Sequence, residues 1–259
     1  MASRTYRAEG IVLKTIDFGE ADRVLTLLTR HFGKVRVVAK GIRRPTSRLA
    51  GYVEPLSHAT FQLARGRELD VLTGAESRST LRAVRDDLVR IGASWYIAEL
   101  ADRFTADRSP SAPVFDLVET ALRHLEAGYA PGIVCRWFDL HLLDRSGFRP
   151  ELAVCVQCRG PIAETVNLWS PDGGGVICSG CVASLDHIGV PLSVRALKSL
   201  RYLIASDFGS AAKLRVDAPL ADELACLLRG FLQHVLDREV QASRLLDEIA
   251  QLPAYPVPA

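Results

Sequence analysis

Features of a secreted or membrane protein are missing from this chain of 259 residues. The first ten residues, MASRTYRAEG, lack the apolar core of a signal peptide, and no later segment approaches an uncharged membrane span. These absences predict a cytoplasmic protein, in a compartment where thiols stay reduced. The six cysteines are therefore interpreted as metal ligands or core residues and not as disulfide partners.

Recognisable catalytic motifs are missing as well. Gly33-Lys34 looks like the end of a phosphate-binding loop, but Val35 stands where a Mg²⁺-binding hydroxyl is required. Gly92-Ala93-Ser94 begins like a nucleophile elbow, yet Tyr96 replaces the closing glycine. The sequence therefore predicts a binding protein and not an enzyme. A hydrolase with an unrecognised site is the least favoured alternative.

Acidic residues are absent from residues 34–51, KVRVVAKGIRRPTSRLAG. The first half alternates as a half-buried strand does, and Gly41, Pro45 and Ser47 predict a loop in the second half. A strand that continues into a cationic loop holds its charges on a rigid edge, which suits the evenly spaced charges of a phosphate backbone. The candidate contacts here are Lys34, Arg36, Lys40, Arg43, Arg44 and Arg48. The alternative is a solvated strand end in a chain that generally prefers Arg to Lys.

Charge is also distributed unevenly along the chain. Residues 1–82 contain 15 Lys and Arg against 8 Asp and Glu, whereas the remainder contains 17 against 22. A basic front joined to a mildly acidic remainder predicts that an anionic partner meets the first third of the chain.

Five short segments within residues 1–80 are predicted to be strands: 10–15, 23–29, 34–40, 59–63 and 69–72. Gly33 is predicted to supply positive φ in a tight hairpin between the second and third. Five such strands predict a small closed barrel, and the OB-fold is the five-stranded barrel that binds single-stranded nucleic acid. Residues 23–29 could instead form a short helix capped by Asp22.

The period of the apolar residues changes after this region, and helices are predicted. A first helix carries an apolar stripe made by Leu81, Val84, Leu88, Ile91, Trp95 and Leu100. Four further helices are predicted. The first starts at Pro113 and stops at Gly128, the second covers 131–146 and ends at Gly147, the third runs from Ser193 through Ser206, and the last covers 219–240.

Four cysteines give the sharpest local signal. Cys155-x2-Cys158 and Cys178-x2-Cys181 are separated by nineteen residues, so four thiolates can reach one tetrahedral Zn²⁺. Because four thiolates close the coordination sphere, the predicted role of the metal is structural. The alternatives are four reduced, metal-free thiols or a redox role for either CxxC pair.

The order of motifs resembles that of the RecO family of recombination mediators. The resemblance is carried by Gly10-Ile-Val-Leu-Lys14, Phe18-Gly-Glu-Ala-Asp-Arg23, Gly33-Lys-Val, Ala39-Lys-Gly-Ile-Arg-Arg44 and Ser47-Arg-Leu49 in the basic part. Further along, Phe138 to Pro150, FDLHLLDRSGFRP, is similar to the helix that precedes the zinc site of that family, and Cys155-Val-Gln-Cys158 follows it. The similarity fades over residues 206–218 and in the tail.

The resemblance implies an α+β multidomain protein with an OB-fold nucleic-acid-binding domain, an N-terminal β-barrel, at 1–80. It is followed by an all-α domain at 81–150 and 188–250, with a zinc ribbon with four cysteine ligands inserted at 151–187. The composition of residues 251–259, which contain three prolines, predicts a disordered tail. It implies contacts to the DNA backbone by Lys14, Arg23, Lys34, Arg36, Lys40, Arg43, Arg44 and Arg48. Phe18, Phe32 and Tyr52 are candidates for stacking on bases, although core packing is favoured for each.

The function that the resemblance implies is a non-catalytic role in DNA repair, in a cytoplasmic, nucleoid-associated protein. RecO proteins bind single- and double-stranded DNA, anneal complementary strands and, with RecR, help to load the RecA recombinase onto DNA coated by single-strand-binding protein (SSB). The alternative is an RNA-binding or translation-associated factor with an OB-fold and a zinc ribbon, which composition does not distinguish from the first hypothesis.

Overall fold

The computed structural model describes residues 4–79, 81–182, 189–243 and 246. The described residues form two compact units, and the chain passes from the first to the second between Gly128 and Tyr129. The helices before Gly128 are thus in one unit with the amino-terminal strands. The finer boundaries at 80/81, 150/151 and 187/188 stay a prediction, and the tail predicted to be disordered, 251–259, lies outside the described residues.

The first unit contains a closed barrel in the order β1-β2-β3-β5-β4. Its strands are β1 (Thr5–Phe18), β2 (Asp22–Thr29), β3 (Gly33–Ala39), β4 (His58–Ala64) and β5 (Asp70–Ser79). The β3–β5 contact is parallel and the other four contacts are antiparallel. The predicted OB-type barrel is confirmed, and the alternative of a helix at residues 23–29 is wrong.

The alternation of inward-pointing and outward-pointing residues along each strand explains the barrel. Leu25, Leu27, Val35 and Val37 point inward and pack with Phe61 in a core that the solvent hardly reaches. The first strand is long enough to pair with two neighbours, with β4 along its first half and with β2 along its second. A register shift in its middle bends it, as closure of a small barrel requires.

The β2–β3 hairpin turns at Gly33, whose φ is +69° as predicted. A Cβ at this position would lie 2.5 Å from the backbone nitrogen of Ser109, so the segment after the first long helix closes directly over the hairpin. The backbone N–H of Arg108 donates to the carbonyl of Lys34 at 2.8 Å and continues this contact. Glycine is required here both by the backbone angle and by the close approach.

Three helices complete the first unit: α1 (Arg82–Arg85), α2 (Leu88–Phe104) and α3 (Ala112–Glu126). The Asp87 side chain caps α2 by accepting from the backbone N–H groups of Val89 and Arg90. Pro113 lies in the first turn of α3, and Gly128 follows its end with a φ of +89°. The α2 helix contacts β1, and α3 contacts β2.

The predicted apolar stripe of α2 is wrong in part. Leu88 is 61% exposed and Trp95 is 49% exposed, so the face that they share points to solvent. The buried face instead contains Gly92, Ala93 and Tyr96, among others. The α2 helix contacts both β1 and α3. The small side chains of Gly92 and Ala93 allow a close approach, and the buried face is the one that contains them.

The second unit begins with α4 (Pro131–Arg145), and Gly147 follows its end with a φ of +83°. A three-stranded sheet of order β7-β6-β8 follows. The remaining elements are β6 (Asn167–Ser170), β7 (Gly175–Ile177), α5 (Ser179–Val182), β8 (Val190–Leu192), α6 (Val194–Ala205), α7 (Phe208–Ala211) and α8 (Ala218–Leu236). Ser193 caps α6 as predicted. No helix in the described part of the chain combines the length and the apolar character that crossing a bilayer requires.

Candidate nucleic-acid surface and metal centre

Neighbouring strands place basic residues on the outer face of the barrel. The register pairs Lys14 with Thr26, and Thr26 with Arg36. The residues that flank this row along the strands, such as Leu25 and Val37, point into the core, so the row itself points outward. Lys14 and Arg36 are two strand spacings apart, which is about 10 Å. The barrel therefore holds two exposed cations at a fixed separation.

The loop after β3 is fixed at its base. Ile42 is 4% exposed and packs in the barrel core. The backbone N–H of Arg43 donates to the carbonyl of Ala21 at 2.9 Å, and that of Gly41 donates to Asp22 Oδ1 at 2.7 Å. The loop is thereby tied to the β1–β2 turn. Its cationic side chains start from a well-defined backbone although their ends are exposed.

Most of the predicted DNA contacts carry charges that no carboxylate in the described chain neutralises. The following side chains are exposed and have no ion-pair partner among the described residues: Lys14, Arg36, Lys40, Arg44 and Arg48. They lie on β1, on β3 and on the loop that follows β3. Uncompensated, solvent-exposed cations are the groups that gain most from an approaching polyanion.

Two other predicted contacts are partly engaged. Arg23 donates from Nε to Asp17 at 2.9 Å and from Nη1 to Glu54 at 3.2 Å, and its side chain is 27% exposed. Arg43 Nη1 lies 3.5 Å from the second oxygen of Asp17. These arginines border the unpaired cations, but part of their charge is already balanced within the fold.

Lys34, which is also a predicted DNA contact, is engaged within the fold. Its Nζ donates to the carbonyl of Asp102 at 2.7 Å and to Oδ1 of the same residue at 2.9 Å, and the side chain is only 14% exposed. Because Asp102 lies on α2, this lysine joins the barrel to the helix. We therefore leave Lys34 out of the candidate surface, because its ammonium group already has an ion-pair partner.

Exposed apolar residues adjoin the basic row. Phe18, at the end of β1, is 56% exposed, and Ile16, on the same face of that strand, is 49% exposed. Core packing, which the sequence favours for Phe18, is wrong, whereas Phe32 does pack, with its ring centroid 4.7 Å from that of Tyr6. Tyr52 is half-buried. Ile16 was missed by sequence reasoning, although the alternation that places Lys14 outside also places Ile16 outside.

The four predicted ligand cysteines of the second unit do come together. Their Sγ atoms all lie within 4.8 Å of one another, and Cys158 Sγ lies 3.8 Å from Cys178 Sγ. Four sulfurs at about 2.3 Å from one Zn²⁺ in a tetrahedron would be separated by about 3.8 Å. The backbone N–H of Cys178 donates to Cys155 Sγ at 3.3 Å, which is a contact that favours a thiolate. The donor set and its spacing fit a tetrahedral zinc ion.

The acidity of these thiols also suits a cation. Burial by itself would raise the pKa of the Cys155 thiol, but backbone N–H groups of Cys158, Cys178 and Gln157 donate to its sulfur and lower the pKa to about 6. Hydrogen bonds with Cys158 and Cys178 raise the pKa of Cys181 to about 12. A bound cation would stabilise the thiolate form of each of its cysteine ligands.

The loops that carry the two CxxC pairs are attached to the helices of the second unit. Arg201 of α6 donates to the carbonyl of Leu152 through Nη2 at 2.6 Å and through Nε at 3.0 Å. Trp169 is fully buried, and its Nε1 donates to the carbonyl of Leu227 on α8 at 3.0 Å. The buried side chains of the same segment include Leu152, Ile162 and Val176. The packing of apolar side chains and these anchors therefore hold the segment against the helices.

Comparisons with known proteins agree along the whole chain. The family model described as Recombination protein O N terminal matches residues 1–81, and the one described as Recombination protein O C terminal matches residues 85–244. A protein named DNA repair protein RecO from Roseiflexus sp. (strain RS-1) is 39% identical over 97% of this chain and 88% of its own length. Proteins of the same name from Dehalococcoides mccartyi and Desulforamulus reducens are each 33% identical; they cover 94% and 95% of this chain, and 96% and 95% of their own lengths.

Proposed function

Since the chain belongs to the RecO family of DNA repair proteins, we propose that it is a non-catalytic recombination mediator that binds single- and double-stranded DNA through the basic face of its barrel. It anneals complementary strands and, with RecR, helps to load RecA recombinase onto DNA coated by SSB. Membership of the family itself gives a role in DNA repair and recombination, and the proposal adds the molecular steps.

The observation that carries the DNA-binding step is the unpaired charge on β1, β3 and the loop after β3. Lys14 and Arg36 are fixed on strands, and Lys40, Arg44 and Arg48 project from the anchored loop. Each phosphate that one of them neutralises releases condensed counterions, which is the dominant driving force for binding without sequence preference. Annealing needs such binding, because two strands must be held without their bases being read.

Base contacts in this proposal are apolar. Phe18 and Ile16 stand beside the cationic row on the face where Lys14 also points. An exposed aromatic ring stacks on any base, since every base has a π-face, and the cations next to it engage the backbone of the same strand. Phe18 is therefore the residue on which we expect single-stranded DNA to stack.

The metal in this proposal is a single structural Zn²⁺ held by Cys155, Cys158, Cys178 and Cys181. Four thiolates leave no coordination position for a substrate, so the ion supplies folding energy and no reaction chemistry. The ribbon then keeps the anchoring loops of the second unit in place.

The protein partners in the proposal are RecR and SSB, with RecA reached indirectly, in the cytoplasm and at the nucleoid. They follow from the family to which the chain belongs. Incubation of the zinc-loaded protein with purified RecR and SSB, followed by co-purification, tests this part. Retention of neither protein would limit the function to DNA binding and annealing.

The test of the DNA-binding step is a titration of labelled single-stranded DNA at increasing salt. For single strands, log K falls with log salt with a slope of about −0.7 for each phosphate neutralised, so five contacts give a slope of about −3.5. We expect Arg43→Glu/Arg44→Glu to abolish binding at moderate salt. Arg44→Ala and Arg48→Ala should each reduce the slope by about 0.7.

Matched controls come from the second unit, where Lys213 and Arg215 are exposed cations. Lys213→Ala and Arg215→Ala remove the same charge and should leave the slope unchanged. Binding that does not depend on salt would refute the proposal, as would equal losses in the control variants. A strong preference for RNA in direct competition would favour a translation-associated factor instead.

A further inference from the structure

A second group of possible metal ligands lies in the first unit, where the barrel meets α3. It consists of Glu9 on β1, His58 at the start of β4 and Glu119 on α3. One ligand atom from each of these residues lies within 4.8 Å of the other two, and His58 Nε2 is 3.1 Å from Glu9 Oε1. The group has no sequence motif, because its members come from three separate segments.

The barrel fixes two of the three ligands. The register pairs Glu9 with Thr60 and Ile11 with His58, so Glu9 and His58 are diagonal neighbours on adjacent strands. Both point outward, since Ala8 and Ala59 beside them belong to the barrel core. The imidazole and the first carboxylate are thereby presented together by the sheet.

The α3 helix supplies the third ligand and orients the imidazole. The His58 ring lies edge-on to the ring of Phe115, with the centroids 6.0 Å apart. Glu119 follows Phe115 by one helical turn and so lies on the same side of α3. The His58 side chain is only 9% exposed and that of Glu9 is 17% exposed, so the imidazole and one carboxylate are largely withdrawn from water.

The charges of this group are incompletely balanced. Arg78 Nη1 lies 3.3 Å from Glu9 Oε1, but its side chain is 51% exposed. Arg30 is engaged with Asp116 at 2.9 Å. The carboxylate of Glu119 has no hydrogen-bond or ion-pair partner in the part of the chain that the structure describes. Among the described residues, Arg78 is the one arginine paired with either carboxylate of this group, and its exposed side chain is able to move away.

We propose that Glu9, His58 and Glu119 bind a divalent cation through two carboxylate oxygens and the imidazole Nε2, with the imidazole in the tautomer that carries its proton on Nδ1. The ion then replaces the hydrogen bond between His58 Nε2 and Glu9 Oε1. Oxygen and imidazole ligands suit Mn²⁺ or Zn²⁺, whereas the sulfur ligands of the second unit select zinc. The Arg78 guanidinium lies against Oε1 of Glu9 and moves away from this oxygen when the cation binds. Three protein ligands leave further positions to water, and the bound ion joins β1 and β4 to α3.

The test is a Mn²⁺ titration of the full chain with its zinc centre loaded. The EPR signal of free Mn²⁺ is the readout. Manganese is the probe because thiolates bind it poorly. We expect one Mn²⁺ per chain to be retained below about 1 mM total metal. Glu119→Gln should weaken binding about tenfold or more. Arg78→Ala should tighten it, because it removes the competing charge.

The matched control is Glu76→Gln. Glu76 lies two strands from Glu9 in the same cross-strand row, and among the described residues its ion-pair partner is the exposed Arg7. This variant should bind Mn²⁺ as the parent chain does. A second readout is the thermal unfolding midpoint, which Mn²⁺ should raise in the parent chain and not in Glu119→Gln. The proposal is overturned if the parent chain retains no Mn²⁺, or if Glu119→Gln and Glu76→Gln behave alike.

Discussion

The loop after β3 and the segment from Cys155 to Gly160 are both short and contain glycine. Each must keep several polar groups in fixed positions. The loop does so with the barrel core, because Ile42 is buried there and the backbone of Arg43 is bonded to Ala21. The segment around Cys155 presents its sulfurs to a set of thiols that retain protons, because hydrogen bonds with Cys158 and Cys178 raise the pKa of the Cys181 thiol. The first segment carries its stability within the fold, whereas the proposed zinc ion would stabilise the second.

This difference has a functional consequence. Cationic side chains on a loop that the apolar core anchors can remain exposed and unpaired, because their charge does not have to be neutralised for the unit to fold. They are then available to a polyanion. Thiolates that must be neutralised for the ribbon to fold are not free for another ligand. Under the proposed function, the two regions therefore divide recognition from support, and the following experiments test that division in order of decreasing expected effect.

Removal of the metal should cause the largest change. Cys155→Ser, or a strong chelator, should lower the free energy of unfolding of the second unit by several kcal/mol, since structural zinc contributes roughly 10 kcal/mol or more in small zinc domains. The measurements are zinc content, which should fall by one ion per chain, and limited proteolysis of the ribbon. Single-stranded DNA binding should change far less.

Cys226→Ser is the matched control for the metal experiment. Cys226 is an exposed cysteine on α8 outside the ligand group. Its substitution should leave both metal content and stability unchanged. If Cys155→Ser stays folded and metal-loaded, the structural role of the ion is wrong. If instead DNA binding is lost in proportion to stability, the proposed division between the two regions fails.

Gly33→Ala should cause the opposite pattern, with damage to the first unit and full metal content. The added Cβ would meet the Ser109 backbone nitrogen at 2.5 Å, and the φ of +69° strains any residue with a side chain. We expect a loss of about 3 kcal/mol in chemical unfolding. Gly19→Ala separates the two causes, since Gly19 has a φ of +60° but open space around it. Its expected loss is about 1 kcal/mol.

Equal losses in the two glycine variants would show that backbone strain alone matters and that the segment at Ser109 moves aside. Loss of zinc from Gly33→Ala would couple the two units and contradict the division between them.

Asp70 makes the stability of the first unit dependent on pH. Burial of this carboxylate would raise its pKa, but hydrogen bonds from the Tyr6 hydroxyl, the Gly66 backbone and the Arg108 guanidinium outweigh that effect and lower the pKa below its usual range. The stabilisation is therefore fully present above about pH 4, the value for an unfolded Asp, and is lost as the pH falls through the folded-state pKa.

Asp70→Asn should accordingly cost about 1–3 kcal/mol at neutral pH and remove most of the acid dependence below about pH 4. Urea unfolding across a pH series measures both effects. Asp107→Asn, at an exposed carboxylate, is the control and should leave the pH profile intact. An unchanged profile in Asp70→Asn would assign the acid dependence to other carboxylates.

Local patterns predicted much of this molecule. The alternation of Val35 and Val37, the positive φ of Gly33 and the CxxC spacing are properties of neighbouring residues, and the structure confirms the strand, the turn and the gathering of the four cysteines. Such features need no knowledge of what lies across the fold, since strand, turn and knuckle geometry are set within a few residues.

Features that depend on distant partners could not be predicted. Lys34 looks like its neighbour Arg36 in the sequence, and only the approach of Asp102, 68 residues away, distinguishes them. The exposed Trp95 on α2 and the Glu9–His58–Glu119 group are likewise outcomes of packing between segments. No periodicity within one segment records which face another segment covers.

Lys34 and Arg36 provide the finest test, because they lie two residues apart on one face of β3 and differ only in what surrounds them. Lys34→Ala removes the contacts to Asp102 and should cost about 1–2 kcal/mol of unfolding free energy, with no change in the salt dependence of DNA binding. Arg36→Ala should change stability by less than about 0.5 kcal/mol and reduce the salt slope by about 0.7. Urea unfolding and DNA titration on both variants measure the four quantities. If Lys34→Ala changed the slope as Arg36→Ala does, the unpaired charge of the face would not be what selects a DNA contact, and the barrel would bind DNA through its total charge alone.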